Sequence, residues 1–158
     1  DVCSSDLPNS SAPSPIKDGV AIACEVPHLL SPLSSPLSRP WGAMSFAFEK
    51  LLVYQKSVDF ADDICACTEQ FPRGYGFLVD QLNRASVSIA ANIAEGNGRF
   101  TKPDRKHFFG IARGSVQECV PLLELASRRK LLDATAHEQL KSRLEEIGRM
   151  LSGLIERG

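Results

Sequence analysis

One stretch narrows the possible folds more than any other: Gln81 to Phe100, QLNRASVSIAANIAEGNGRF. With Leu78 just upstream, Leu82, Ala85, Ile89 and Ile93 recur at steps of three and four, the spacing of a buried helix face. Between them stand Ser86, Ser88, Ala90, Ala91 and Ala94, small enough for neighbouring backbones to come close. Such a helix is central and packed on more than one side. Gly96-Asn97-Gly98 is expected to stop it, a glycine taking the left-handed conformation of a helix C-cap.

Three more helices follow from the same logic. The first is expected over Phe48 to Gln70, with Leu51, Tyr54, Val58, Ala61, Cys65 and Thr68 as its repeating face. FPRGYG, with a proline and two glycines, ends it. The central helix then spans about Tyr75 to Gly96. The third opens at Thr101-Lys102-Pro103-Asp104, where Thr101 can cap, Asp104 can reciprocate and proline is tolerated. Its inward face reads Phe108, Ala112, Ser115, Cys119, Leu122 and Ala126. The fourth starts near Asp133 or Thr135, Thr135-x-x-Glu138 reading as a capping box. It carries Leu140, Leu144, Ile147, Leu151 and Leu154 inward. Four helices of some 20 residues with short connections predict an all-α, antiparallel up-down-up-down four-helix bundle.

Two features of the third helix run against propensity. Gly110 and Gly114 each cost on the order of 1 kcal/mol relative to alanine, and close packing against the small face of the central helix is the expected reason. Pro121 removes an internal hydrogen bond and is expected to kink the helix near Gln117.

The chain carries little that looks like catalytic chemistry. Five cysteines (Cys3, Cys24, Cys65, Cys67, Cys119) are an odd, scattered set, and Cys65 and Cys67 point apart on a helix. They read as buried free thiols of a reducing cytoplasm. Asp104-x-x-His107 has the spacing of half a di-iron bundle motif, but no second copy stands on the expected helices. Nothing places His107 or His137 beside Cys119 to activate it. GNGRF follows a helix rather than a strand and so fails as a phosphate-cradling loop. No enzyme, metal, cofactor or small-molecule substrate is expected. No apolar run reaches membrane-spanning length. Asn92, Glu95 and Ser115 lie on or beside buried faces and are expected to hydrogen-bond across to the third helix or a neighbouring subunit.

SIAANIAEGNGR, with FPRGYGFLVDQLNRA before it and FFGIARGSVQE after it, resembles a bacterial four-helix bundle family. Its founding members are encoded in intervening sequences of large-subunit ribosomal RNA genes. The resemblance covers Phe46 to Arg157 and implies a bundle that assembles as a ring of five, with no enzymatic activity. The accessory protein of diversity-generating retroelements is a similar protein, one that binds nucleic acid and a reverse transcriptase. Pro121 departs from the family pattern, which has an ordinary helix former there.

Residues 1–43 are of another kind, holding seven of the ten prolines among many serines. Such composition cannot bury enough surface to offset its ordering entropy. The opening DVCSSDL is also what a common sequencing-adapter sequence encodes, and Met44 directly precedes the family-like residues. The expectation is a disordered or non-native extension over 1–43 and a bundle domain over 44–158. The extension has no basic start and apolar core, so it does not read as a signal peptide.

Formal net charge is only -1, but the cations are unevenly placed. Between Arg84 and Arg113 stand Arg84, Arg99, Lys102, Arg105, Lys106 and Arg113, most of which are expected to gather around the turn between the second and third helices. Arg73, Arg128, Arg129 and Lys130 fall at the opposite end. A ring would repeat each patch several times and attract an anionic partner, RNA or DNA, or a reverse transcriptase-like protein working on it. The competing expectation is a protein-binding adaptor in which these charges serve solubility.

Overall fold

The structure is a computed structural model describing residues 46–157, so the expectations for 1–43 and for Cys3 and Cys24 lie outside the described residues. A short 3-10 turn at Ala47–Lys50 leads into four helices. These are α1 (Leu52–Thr68), α2 (Gly76–Gly98), α3 (Lys102–Arg128) and α4 (Ala134–Arg157). Helices adjacent in sequence pack together, and α4 returns to α1, which closes an antiparallel four-helix bundle. The described residues contain no strand. No helix among them is long and apolar enough to cross a membrane.

The face predicted for α2 is the one buried: Leu78, Leu82, Ala85, Ile89 and Ile93 are almost wholly enclosed. α4 likewise buries Leu140, Leu144, Ile147 and Leu151, with Leu154 at the margin. In α3 the core positions are Phe109, Ala112, Ser115, Val116, Cys119, Leu123 and Ala126, so Phe108 and Leu122 stand one residue off the inward line. α1 is turned further from its expected face. Val53, Ser57, Phe60, Asp63, Ile64 and Cys67 face inward with Thr68, while Leu51, Tyr54, Val58, Ala61 and Cys65 are half-buried. Ser57 and Asp63 interrupt the apolar period there, which is why the flanking stripe looked the more regular.

The helix ends also differ from expectation. α2 runs through Gly96-Asn97-Gly98 and stops at Arg99 in extended conformation (φ -81°, ψ 141°), with no left-handed glycine. Gly96 has another task, since a Cβ there would stand 2.8 Å from Cε1 of the Phe109 ring. The glycine with positive φ is Gly74 (106°), in the connection from α1 to α2. Gly110 and Gly114 meet nothing within 4 Å of a built Cβ, so packing inside this bundle does not explain them. α3 continues through an exposed Pro121 as one helix. Its N-cap is as predicted: the Thr101 hydroxyl accepts from Asp104 N (3.2 Å) and donates to Asp104 Oδ2 (2.6 Å). α4 is capped by Asp133, whose Oδ1 accepts from Ala136 N at 2.7 Å, rather than by Thr135.

Between α1 and α4 a buried carboxylate is neutralised: Arg143 Nη1 donates to Asp63 Oδ2. Lys56 and Glu146 add a more exposed ion pair on the same seam, at 2.9 Å. Every buried side-chain nitrogen and oxygen among the described residues has a hydrogen-bond partner.

Candidate nucleic-acid interface

Because α2 and α3 are antiparallel, the turn at Arg99–Thr101 sets the end of one beside the start of the other. Lys102, Arg105 and Lys106 occupy the first residues of α3 and are exposed. Asp104 lies among them, yet its carboxylate is already held by Thr101. None of the three cations has an ion-pair partner among the described residues. Arg99 is tied down differently. It donates to Glu95 on its own helix, and its guanidinium carbon lies 4.5 Å from the centre of the Phe108 ring. His107 meets the same ring edge-on, with 5.5 Å between ring centres.

Position makes these charges unusual. The start of a helix carries a partial positive charge, and cations there oppose it, each at about 0.3–1 kcal/mol. Cations that served only the fold would favour the other terminus. Three of them in and just after the first turn therefore build a strongly positive end.

Not every predicted residue joins this cluster. Arg113 lies about 10 Å beyond Lys106 along α3 at the helical rise. It lines a separate surface groove of about 650 Å³ between α3 and α4, with Val116, Gln117, Lys141, Glu145 and Arg149 among its neighbours. Arg84 is midway down α2, where it bonds Glu118 of α3 at 2.7 Å and Gln81 at 2.6 Å. The opposite end does gather Arg73, Arg128, Arg129 and Lys130 around its two connections, but part of its charge is spent internally. Arg128 Nε donates to Glu124 Oε1 at 2.9 Å, and this bond holds the Glu124 carboxyl below its usual range. His137 approaches the other Glu124 oxygen at 3.5 Å.

The polar residues between α2 and α3 form a relay that the sequence does not spell out. Asn92 Nδ2 donates to Ser88 O (2.8 Å) and Ser88 Oγ (3.1 Å), both on its own helix. Ser88 Oγ lies 2.9 Å from Ser115 Oγ, which in turn donates to Ile111 O at 3.2 Å. Either serine hydroxyl can donate across this interface. Within the chain, then, Asn92 reaches α3 only through Ser88, and Glu95 stays with Arg99.

Sequence reasoning missed the aromatic residues of the basic end. Phe100 is fully exposed and Phe46 is 68% exposed. The Phe46 and Phe48 rings stack 5.5 Å apart, and Phe48 meets Tyr54 edge-on at 5.0 Å. A hollow of about 380 Å³ opens here, lined by Phe48, Ala91, Ala94, Glu95, Gly98, Arg99 and Phe100. The available signal was a phenylalanine between two cations in the RFTK of the turn, where an apolar ring has no core to enter.

Burial, with Glu118 adding to it, pushes the Cys119 thiol up to about 12, far from a thiolate at neutral pH. Cys67 is also buried, whereas Cys65 is only half-buried. Among the described residues no three histidine, cysteine or carboxylate side chains converge as a metal site.

Comparison with known proteins agrees with this architecture. No match was found among curated proteins. The fold is similar to a crystal structure from Bacteroides thetaiotaomicron VPI-5482, a protein of unknown function from the S23 ribosomal protein family. The two share 25% identity with a TM-score of 0.62, over 66% of this chain and 98% of that one. Residues 49–153, nearly all of the bundle, match the model of one family, and the chain belongs to it: the 23S rRNA-intervening sequence proteins.

Proposed function

We propose that this protein is a non-enzymatic, homo-oligomeric scaffold, a pentamer, that binds RNA or DNA through the end where α2 turns into α3. The observation that carries the reading is the trio Lys102, Arg105 and Lys106, exposed, without carboxylate partners among the described residues, at the end of α3 that is already positive. Self-association is supported by exposed apolar side chains on outward faces, Val87 on α2 and Ile111 on α3, with the uncovered Gly110 and Gly114 beside the latter. One copy presents a small patch; five copies in a ring present it five times, which raises the local field for a polyanion.

Phosphate contacts dominate such binding, so affinity falls steeply with salt and sequence preference is slight. The test is retention of a structured RNA by the intact oligomer at about 50 mM salt. The triple change of Lys102, Arg105 and Lys106 to glutamine should weaken retention and flatten its salt dependence, with the oligomer unchanged. Absence of any retention by the wild-type assembly overturns the reading. Undiminished binding by the triple variant moves the site to Arg73, Arg129 and Lys130.

A second reading, a protein-binding adaptor, is favoured by one feature. The groove between α3 and α4 has an apolar floor of Val116, Val120 and Leu144 under a mixed-charge rim. That combination suits an amphipathic helix.

A further inference from the structure

The basic end holds more than charge. Its hollow of about 380 Å³ is lined by the aromatic Phe48 and Phe100, the small residues Ala91, Ala94 and Gly98, and the ion-paired Glu95 and Arg99. Phe48 is braced by Tyr54 at 5.0 Å and by the stacked Phe46 at 5.5 Å, so its ring is a fixed wall. Phe100 is fully exposed. Ala91, Ala94 and Gly98 contribute little bulk to the lining, and a volume of this order accommodates a single nucleobase. Arg99 lines the same hollow. The exposed cations Lys102, Arg105 and Lys106 follow closely in the chain.

An apolar hollow alone would suit many occupants. What selects among them is the charge beside it: two aromatic side chains stand with Arg99 just ahead of Lys102, Arg105 and Lys106 in the chain, which matches a ligand with flat bases on a phosphate chain. Bases stack on aromatic side chains only when freed from a duplex, because paired bases keep their faces covered. We infer that the hollow between Phe48 and Phe100 is a base-stacking site, and that this end of the bundle prefers single-stranded RNA or DNA to duplex.

The inference rests on the nucleic-acid reading above but can fail separately from it. The full chain is titrated against a fluorescein-labelled oligo(U) 12-mer and against a blunt 12-base-pair duplex at the same salt. Three proteins are compared: wild type, Phe100→Ala and Phe100→Trp. Phe100 makes no core contact, so neither substitution threatens the fold. Wild type should bind the single strand more tightly. Phe100→Ala should lose about tenfold or more on the single strand while duplex binding changes less than about twofold. Phe100→Trp should keep the affinity. In a Trp41→Phe background its indole emission should be quenched by oligo(U), as stacking requires.

Equal losses on both ligands, or no loss on either, overturns the stacking site and leaves the nucleic-acid reading standing. Breakdown of the oligomer in Phe100→Ala, seen by native mass spectrometry, also overturns it and assigns the hollow to a second copy of the chain. Failure of wild type to bind either ligand removes both proposals together.

Discussion

Gly96 of α2 and Phe109 of α3 touch so closely that a β-carbon on the glycine would stand 2.8 Å from Cε1 and 2.9 Å from Cδ1 of the ring, with Phe108 Cβ at 3.1 Å. The absent side chain is what seats Phe109, itself buried. Gly96→Ala should therefore destabilise the protein despite alanine's better helix propensity, by about 1–3 kcal/mol in denaturant melts. Gly114→Ala is the control, exposed and uncovered within the chain, and should be neutral or stabilising by up to ~1 kcal/mol. A loss at Gly114 comparable to that at Gly96 would mean that another subunit covers it.

The Asp63–Arg143 pair makes a different prediction. Asp63 has a side chain 4% exposed and Arg143 one 32% exposed, so the carboxylate is enclosed while its partner reaches solvent. Arg143→Met removes the countercharge from an enclosed carboxylate and should cost about 1–3 kcal/mol, below the range for fully buried pairs because water screens the arginine. Combining it with Asp63→Leu should recover most of that loss, the apolar pair replacing the ionic one. If the double variant melts lower than Arg143→Met alone, Asp63 matters beyond this pair.

Lys130 closes α3 with φ of 58°, the left-handed region where glycine is favoured. Lys130 N donates to Ser127 O and Leu131 N to Ala126 O, both at 2.9 Å, which completes a Schellman turn with lysine in the glycine position. Lys130→Gly should stabilise by about 1 kcal/mol, seen as a higher urea midpoint with unchanged slope. RNA retention should not change if the binding end is the opposite one.

Cys119 should be silent towards thiol reagents. Its pKa is raised to about 12 from an ordinary 9.0 by burial. The folded state therefore keeps a proton that the unfolded chain releases above pH 9. The thiol's contribution to stability is complete below that pH and fades as pH rises towards 12. Peptide mapping after iodoacetamide at pH 8 should find Cys65 modified before Cys67 and Cys119. Early labelling of Cys119 would show that the core opens locally.

How legible this was from sequence varied by helix for physical reasons. α2 could be read from its spacing because its inward residues, Ser86 apart, are apolar or glycine and its outward ones mostly small or polar. α1 could not, since Ser57 and Asp63 occupy core positions and are satisfied by Val53 O and Arg143, partners that only the fold supplies. Glycines were the weakest point: propensity marks Gly110 and Gly114 as costly but does not say which side a neighbour stands on. Among the basic residues, positions in the chain were enough to cluster Lys102, Arg105 and Lys106. Pairing of Arg84 with Glu118 depends on how α2 lies against α3, which no spacing within one helix encodes.

An even number of antiparallel helices has one further result. The start of α1 and the finish of α4 both lie at the end where α2 turns into α3. Whatever the chain carries ahead of residue 46 is thus tethered beside Phe100 and its cations, at a high effective concentration whether or not it binds there. An affinity tag or a surface linker attached through either terminus would crowd the same place. Immobilisation through the connection at Arg129–Asp133 would leave it open, and the two orientations should give different RNA capture from one and the same protein.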